Sequence, residues 1–324
     1  MRNSISPAWQ TLRALGAATL LLSSTPSQAA SGPAIAANPQ GVQVDYNGAP
    51  ALRYELQKPK DSPGNSPSAG YFHPLTTPSG LVVTDVGPDD HRHHRGVFLA
   101  WLEVRNKTEA GDFWGWGEHA PIAERRIIHR QTGQSRSAGA GADFTVQNEW
   151  QAAGKTLLDE TLQASAAFRP EARVYDLAYE FKVKEETTLG RHAFSGFAVR
   201  LRKDFPLTAF DPAGKVTLPE PSHLKPESDW PDKPWYAFEM ALADGKKAGV
   251  AVLSHPKNPA TVWHNVTGIA LINPCIIAPG PVRITPDAPL KLRYQVVAFD
   301  GPVPTALLNQ MAADLAKTPV SGVR

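Results

Sequence analysis

The sequence predicts an all-β protein, a large antiparallel β-sandwich with one short C-terminal helix. Apolar and polar residues alternate with a period of two at 173–184, 236–242 and 290–296, as expected of strands with one face in a core. The 30 prolines and 25 glycines supply the turns that many antiparallel strands require. Residues 307–315 repeat apolar side chains every three and four positions, which indicates a helix lying on one sheet.

Strands are expected along most of the chain. In chain order we place them at 42–46, 51–57, 81–86, 97–104, 122–130, 142–150, 155–168, 173–184, 195–203, 236–242, 248–254, 268–272 and 290–296. The proline-rich segments 58–69 and 219–235 are predicted to be loops, and the tryptophans of the second indicate that it docks on the protein. No repeat of fixed length is visible in the sequence, which argues against propellers and solenoids.

Residues 1–29 have the pattern of a secretory signal peptide. Arg2 and Arg13 provide positive charge, residues 15–22 form a short apolar core, and small residues precede the cleavage expected after Ala29. The mature chain, 30–324, is then predicted to be a single sandwich domain, exported to the periplasm or secreted by a bacterium. No later stretch approaches the roughly 18 consecutive apolar residues of a membrane-spanning helix, so no transmembrane segment is expected.

Charge and cysteine content narrow the choice of partners. Lys and Arg number 33 against 31 Asp and Glu, and no basic run stands out, so nucleic acid is not expected as a partner. The net charge favours a small neutral ligand or none. Cys275 is the only cysteine, which excludes a disulfide within the chain. The sequence does not fix the oligomeric state.

The stretch "DDHRHHRG", residues 89–96, is the strongest candidate for a functional site. It places three of the ten histidines on a loop between two expected strands, where functional residues are commonly carried. His73 lies upstream, and Asp112, Trp114 and Trp116 follow downstream in "GDFWGWGEH", a mixture of aromatic and polar groups typical of a small-molecule cleft. The alternative for the histidines is a solvated loop.

Several motifs together resemble the PmoA-like family, a domain of unknown function often labelled methane oxygenase. In order they are "YFHPLTTPSG", "DDHRHHRG", "GDFW", "SHPKNP", "TVWH" and "INP", and the resemblance covers about 71–301. It implies a galactose-mutarotase-like sandwich and a role in carbohydrate metabolism. We reject methane oxidation, because a membrane methane monooxygenase subunit crosses the bilayer several times and this sequence has no spanning segment after its signal.

The motifs of the resemblance, and residues beside them, point to a site. The residues proposed as catalytic supply acid–base groups and a cation for developing negative charge: His93, His94, His264 and Arg95. The residues proposed to bind substrate are His73, Asp112, Trp114, Trp116, Arg200, His255, Asn258 and Asn273. Arg200 is included because it lies on the polar face of strand 195–203, which a concave sheet would turn towards a ligand.

Three functions remain open. The first is an exported carbohydrate-active enzyme that uses histidine acid–base chemistry for epimerisation, elimination or hydrolysis of a sugar or oxidised sugar, although no carboxylate pair of glycosidase spacing is visible. The second is a sugar-binding protein without catalysis. The third is a metal protein in which His91, His93, His73 and His255 hold a divalent ion, the only cofactor considered.

Overall fold

The structure, a computed structural model, is built almost entirely of β-strands. It describes Met1 and residues 32–67, 69–225 and 228–321, so the predicted signal peptide lies outside the described residues apart from Met1. Across the described chain the strands pair antiparallel, and one α-helix, α1, spans Thr305–Leu315. The predicted all-β antiparallel class is therefore confirmed. No helix in these ranges is long and apolar enough to cross a membrane.

Two large sheets form the body of the protein. The first has seven strands, in the spatial order β1 (Pro33–Asn38), β2 (Gly41–Tyr46), β3 (Ala49–Glu55), β4 (Tyr71–Leu75), β5 (Val97–Ala100), β13 (Gly196–Arg200) and β19 (Leu271–Ile272). The second has nine, in the order β15 (Gly214–Val216), β14 (Leu207–Asp211), β16 (Trp235–Ala241), β17 (Lys247–Ser254), β22 (Leu290–Asp300), β11 (Ala172–Lys182), β10 (Lys155–Phe168), β9 (Gly141–Ala152) and β8 (Arg126–Ala138). Two smaller sheets contain β21 (Val282–Ile284), β12 (Thr187–Leu189), β6 (Val104–Arg105) and β7 (Ala110–Gly111), and β18 (Val262–Trp263) with β20 (Pro274–Cys275).

The inner faces of the two large sheets share one hydrophobic core. Strand β9 alternates buried and more exposed positions, so Phe144, Val146 and Trp150 enter the core from the nine-stranded sheet. Tyr54 and Phe72 enter it from the seven-stranded sheet, with ring centroids 4.7 Å apart. Because successive side chains of a strand point to opposite faces, this packing explains the period of two in the sequence.

Helix α1 covers the other face of the nine-stranded sheet. Its buried residues are Leu308, Met311 and Leu315. They pack with Trp235 and Phe299 in a second apolar cluster, on the side of β16 and β22 opposite the main core. The spacing of three and four residues puts the three helix side chains on one face, as the sequence predicted.

Segment 81–86 differs from the prediction, because it forms no strand. Its residues make isolated bridges to separate partners: Val82 with Thr76, Thr84 with Leu201, and Val86 with Arg95. A strand requires successive pairs with one neighbour, which this segment lacks. Segment 268–272 is a strand only at its end, because a 3-10 turn spans Thr267–Ile269 and β19 contains only Leu271 and Ile272. The other predicted strands overlap observed strands, and 155–168 coincides with β10.

The buried carboxyl group of Glu160 predicts a pH-dependent stability. It accepts hydrogen bonds from Trp150 Nε1 at 2.6 Å and Asn148 Nδ2 at 3.1 Å, and burial raises its pKa from 4.5 to about 7. Between these two values the unfolded chain releases a proton that the folded protein keeps, so this group's contribution to the free energy of unfolding falls as pH rises. Relative to that of Glu160→Gln, the free energy of unfolding of the wild type should fall by up to about 3 kcal/mol between about pH 5 and about pH 8.

Urea denaturation at several pH values measures this difference. Glu160→Gln loses one acceptor oxygen and is expected to be less stable at low pH, but it cannot ionise. Glu171→Gln, at an exposed position, is the control and should keep the pH dependence of the wild type. A difference between wild type and Glu160→Gln that stays constant with pH would show that the buried carboxyl does not titrate in this range.

Candidate functional site

The histidine-bearing loop, residues 87–96, folds as successive tight turns. His91 N donates to Pro88 O at 3.0 Å, and His94 N donates to His91 O at 2.9 Å. Gly87 N closes the loop by donating to His94 O at 2.8 Å. These hydrogen bonds hold the turns, so the loop carries its histidines together just before β5 begins.

Gly96 ends this loop where the backbone passes close to β4. Its φ is +57°, and a Cβ at this position would lie 2.0 Å from Phe72 O. Gly96 N donates to Asp85 O at 2.7 Å, and Gly96 O accepts from Arg200 N at 2.8 Å. Only glycine allows this left-handed backbone and this close approach at once.

The three imidazoles of the loop pack against one another. His91 and His94 stack with ring centroids 4.6 Å apart and planes 16° apart. His93 meets His94 edge to face at 4.6 Å, and Trp114 lies 5.4 Å from His94. Because His94 is only 2% exposed, this packing argues against the solvated-loop alternative.

Arg200, fully buried at the end of β13, fixes the position and tautomer of His94. Its guanidinium donates to both carboxylate oxygens of Asp90, at 2.7 and 3.0 Å, and to His94 Nδ1 at 3.2 Å. A guanidinium can only donate, so His94 Nδ1 accepts and the ring proton resides on Nε2. The structure thus places Arg200, predicted to bind substrate, behind the histidines, where it positions them.

Asp112 shapes the tryptophan segment that forms the next wall of the site. Its buried carboxylate accepts the N–H of Gly115 at 2.7 Å and the N–H of Gly117 at 2.5 Å. The resulting bend leaves Trp114 buried and Trp116 37% exposed. Asp112, also predicted to bind substrate, therefore serves the fold of this segment.

A cavity of about 110 Å³ lies between the histidine-bearing loop and the tryptophan segment, and we call it the histidine pocket. Its lining residues are His91, His93, His94, Trp114, Trp116, Phe194, His264, Ile269 and Leu271. The structure thus brings together five of the residues selected from the sequence as catalytic or substrate-binding. The volume is below the roughly 300–1,000 Å³ of pockets for drug-sized ligands, so the pocket suits one small ring.

Burial and positive neighbours keep the pocket histidines uncharged. Burial, assisted by His91 and Arg95, lowers the pKa of His93 from 6.5 to about 3. Burial also lowers the pKa of His94 well below 6.5, and burial with His223 nearby lowers the pKa of His264 to about 4. Near neutral pH each imidazole therefore has one donor and one acceptor nitrogen.

Arg95 and His73 lie outside the lining of the histidine pocket. Arg95 is 2% exposed and donates to His93 O at 3.0 Å and to Phe113 O at 3.4 Å, so it supports the loop from behind. His73 Nδ1 is hydrogen-bonded to Thr84 Oγ1 at 3.0 Å. Their placement does not support the direct contact with substrate that the sequence suggested.

Three further residues selected as substrate-binding take part in hydrogen bonds of the fold. His255 and Asn258 line a separate, open groove of about 530 Å³ beside α1. Both ring nitrogens of His255 are hydrogen-bonded to backbone groups, and Asn258 bridges to the backbone of β22. Asn273 is fully buried and ties down the backbone at 195–197. The groove is larger than the histidine pocket, but these ring nitrogens and amides already have partners.

The four histidines proposed as metal ligands are not assembled into one site. His91 and His93 are neighbours, whereas His255 lies in the groove beside α1 and His73 is hydrogen-bonded to Thr84. In the part of the chain that the structure describes, no group of three or more His, Cys, Asp or Glu side chains is placed to hold a metal ion. The predicted ligand set is therefore corrected.

Phe194 lines the histidine pocket and His223 lies beside it, but neither was selected from the sequence. The Phe194 ring lies 5.0 Å from Trp116 and 5.1 Å from His264, measured between centroids. His223 comes from the proline-rich loop and lies 5.9 Å from Trp116, with planes 11° apart. The position of Phe194 in "GRHAFSG", an aromatic residue in a short segment between two glycines, could have indicated it. The tryptophans of the proline-rich loop correctly predicted that this loop packs on the protein, since Trp230 is buried.

A family model corrects the resemblance drawn from the motifs. The model of DUF6807, described as a family of unknown function, matches residues 41–313. Nothing in this match indicates the PmoA-like family, so that assignment was wrong. The motifs quoted for it lie within the matched residues. No curated protein matches the sequence of the chain.

The solved structures to which this chain is similar have little sequence in common with it. The GH36 alpha-galactosidase AgaA from Geobacillus stearothermophilus is 13% identical, with a TM-score of 0.37 over 83% of this chain and 40% of that enzyme. This chain therefore spans less than half of that protein. A galactose mutarotase related enzyme from Lactobacillus acidophilus is 7% identical, with a TM-score of 0.35 over 84% of this chain and 98% of that protein. At these values neither likeness assigns a ligand or a reaction to this chain.

Replacing Gly96 by Ala should disrupt the histidine-bearing loop. Gly139→Ala is the matched control, because Gly139 also has a φ of +57° but an added Cβ there meets nothing within 4 Å. The control should cost about 1 kcal/mol of unfolding free energy from backbone strain alone. Gly96→Ala should cost at least about 2 kcal/mol more, because the backbone must move away from Phe72 O. Urea denaturation compares the two, and equal losses would contradict the close approach.

Proposed function

The chain belongs to DUF6807, a family of unknown function, and we propose that it is a carbohydrate-active protein whose ligand occupies the histidine pocket. One observation carries the proposal. Four histidines, two tryptophans and one phenylalanine line a single cavity of about 110 Å³. Polar groups of defined hydrogen-bonding capacity beside aromatic rings are the combination that small polar ligands require.

A sugar ring suits both kinds of wall. The C–H face of a sugar packs on aromatic rings, and Trp116, which is 37% exposed, and Phe194 offer such surfaces at the pocket. Sugar hydroxyl groups both donate and accept, so they match neutral imidazoles that present one donor and one acceptor each. The size of the cavity limits the ligand to about one ring.

His93 and His264 are the residues that we assign to proton transfer. They line the same cavity from different elements, the histidine-bearing loop and the segment after β18. Uncharged near neutral pH, one imidazole can accept a proton from the sugar ring, while the N–H of the other donates a hydrogen bond to the sugar oxygen on which negative charge develops. No carboxylate is among the described lining residues, which favours epimerisation or elimination over hydrolysis by a carboxylate pair.

The same electrostatics favour a second candidate, sugar binding without catalysis. General acid–base catalysis is most efficient when the pKa of the group lies near the working pH. Burial lowers the pKa of His93 to about 3 and that of His264 to about 4, far from neutrality. Imidazoles of this kind serve well as hydrogen-bonding groups that need not change charge.

Replacing His93 by Gln should stop turnover while binding persists. Thermal-shift screening with monosaccharides and their 3-keto forms identifies a stabilising sugar, and proton NMR follows its conversion. Conversion by His93→Gln should fall at least about 100-fold, because general acid–base catalysis supplies factors of this size. His129→Gln is the control, since His129 lies on β8, is hydrogen-bonded to Asn148 and Thr132, and should be dispensable for both binding and turnover.

Each outcome of this experiment decides between the candidates. Wild-type turnover in His93→Gln would remove His93 from the catalytic role. Binding without conversion by the wild type would establish the second candidate. If no sugar raises the unfolding midpoint of the wild type, the carbohydrate proposal itself fails.

We also propose that the protein acts after export, on the basis of the signal pattern in residues 1–29. Expression of the full chain in a bacterium, followed by fractionation and N-terminal sequencing, tests this. The recovered protein should begin at Ala30 and be found in the periplasm or the medium. A chain that stays in the cytoplasmic fraction with residues 1–29 intact would refute export.

A further inference from the structure

Three buried arginines lie directly behind the pocket histidines. Arg95, Arg125 and Arg200 are 2%, 6% and 0% exposed. Arg95 donates to the carbonyl oxygen of His93, and Arg200 donates to the neighbouring imidazole. Arg125 Nη2 and His93 Cβ each lie 3.0 Å from the place that a Cβ on Gly115 would occupy. The three guanidiniums therefore form a layer of positive charge behind the pocket wall.

Nearby carboxylates neutralise only part of the positive charge of this layer. Asp90 pairs with Arg200, but it also pairs with Lys203, so one negative charge serves two positive charges. Asp112 lies within electrostatic range of Arg95 and Arg125. Its two oxygens accept backbone N–H groups instead, and among the described residues neither of these arginines has a carboxylate oxygen within ion-pair distance.

The layer also contains several hydrogen-bond donors that lack an acceptor. The Nε atoms of Arg95, Arg125 and Arg200 and the Nε1 atom of Trp114 are buried without a hydrogen-bond partner in the described part of the chain. The described lining of the pocket contains no carboxylate. Buried positive charge without a counter-ion is costly, and an anion bound nearby reduces that cost.

We propose that the ligand of the histidine pocket is an anionic monosaccharide, a single sugar ring that bears a carboxylate or a phosphate group. This inference rests on the proposed function, because it assumes carbohydrate binding at this pocket. The guanidiniums attract the anion through the low-dielectric interior, while the imidazoles and aromatic rings hold the sugar. The nearly neutral charge of the whole chain suggested a neutral ligand, but nearby charges set the potential inside a pocket.

Calorimetric titration of the wild type with three matched sugars tests the inference. The probes are galactose, galacturonate and galactose 6-phosphate. At least one of the two anions should bind about tenfold or more tightly than galactose, a difference of about 1.4 kcal/mol, and the tighter one identifies the anionic group. If galactose binds as tightly as both anions, the anionic inference fails and the carbohydrate proposal stands. If none of the three binds but a neutral sugar raises the unfolding midpoint of the wild type, the anionic inference fails and the carbohydrate proposal stands; if no sugar of any kind binds, both fail.

Arginine variants locate the responsible charge. Arg125→Gln should reduce the preference for the anion over galactose about tenfold, because it removes one nearby positive charge. Arg125→Lys retains the charge and should retain the preference. Arg126→Gln removes the same charge from an exposed neighbour and is the matched control. Thermal unfolding checks that each variant is folded, and an equal effect of Arg125→Gln and Arg126→Gln would overturn the assignment.

Discussion

The site depends on the way Arg200 holds the histidine-bearing loop. Its backbone N–H donates to Gly96 O, and its backbone oxygen accepts from Asp85 N, so β13 is tied to the last residue of the loop and to the segment just before it. Its guanidinium reaches the middle of the loop through Asp90 and His94. A guanidinium removed from water needs partners of this kind, and in satisfying it the loop takes one fixed conformation. The histidines are thereby presented from the sheet as a rigid group.

This arrangement also determines the protonation state of the histidines. Burial next to guanidiniums disfavours the imidazolium form, so the pocket combines uncharged side chains at its surface with positive charge behind them. A neutral wall can hold the hydroxyl groups of a sugar, and the charge behind it can hold an anionic substituent. Because Arg95 and Arg200 also support the loop, the same residues maintain both the shape and the potential of the pocket.

Local sequence patterns predicted most of the strands. For the site they predicted only the residues that are close together in the sequence. Strand 155–168 was predicted correctly because apolar and polar residues alternate along a strand that buries one face. Segment 81–86 has a similar composition and is no strand, because its pairing depends on where three other segments lie. The histidine cluster was visible in eight residues, whereas Phe194 joins it only through tertiary packing. His255 has the composition of a site residue, yet backbone groups 63 and two positions away occupy its nitrogens.

The structure of the chain crystallised with galacturonate tests the central claim most directly, because it shows where a sugar binds. We predict that the ring lies in the histidine pocket, with a face against Trp116 and hydroxyl groups within hydrogen-bonding distance of His93 and His264. The carboxylate should point towards the layer formed by Arg95, Arg125 and Arg200. A sugar bound in the groove beside α1, with none in the histidine pocket, would contradict this assignment of the site.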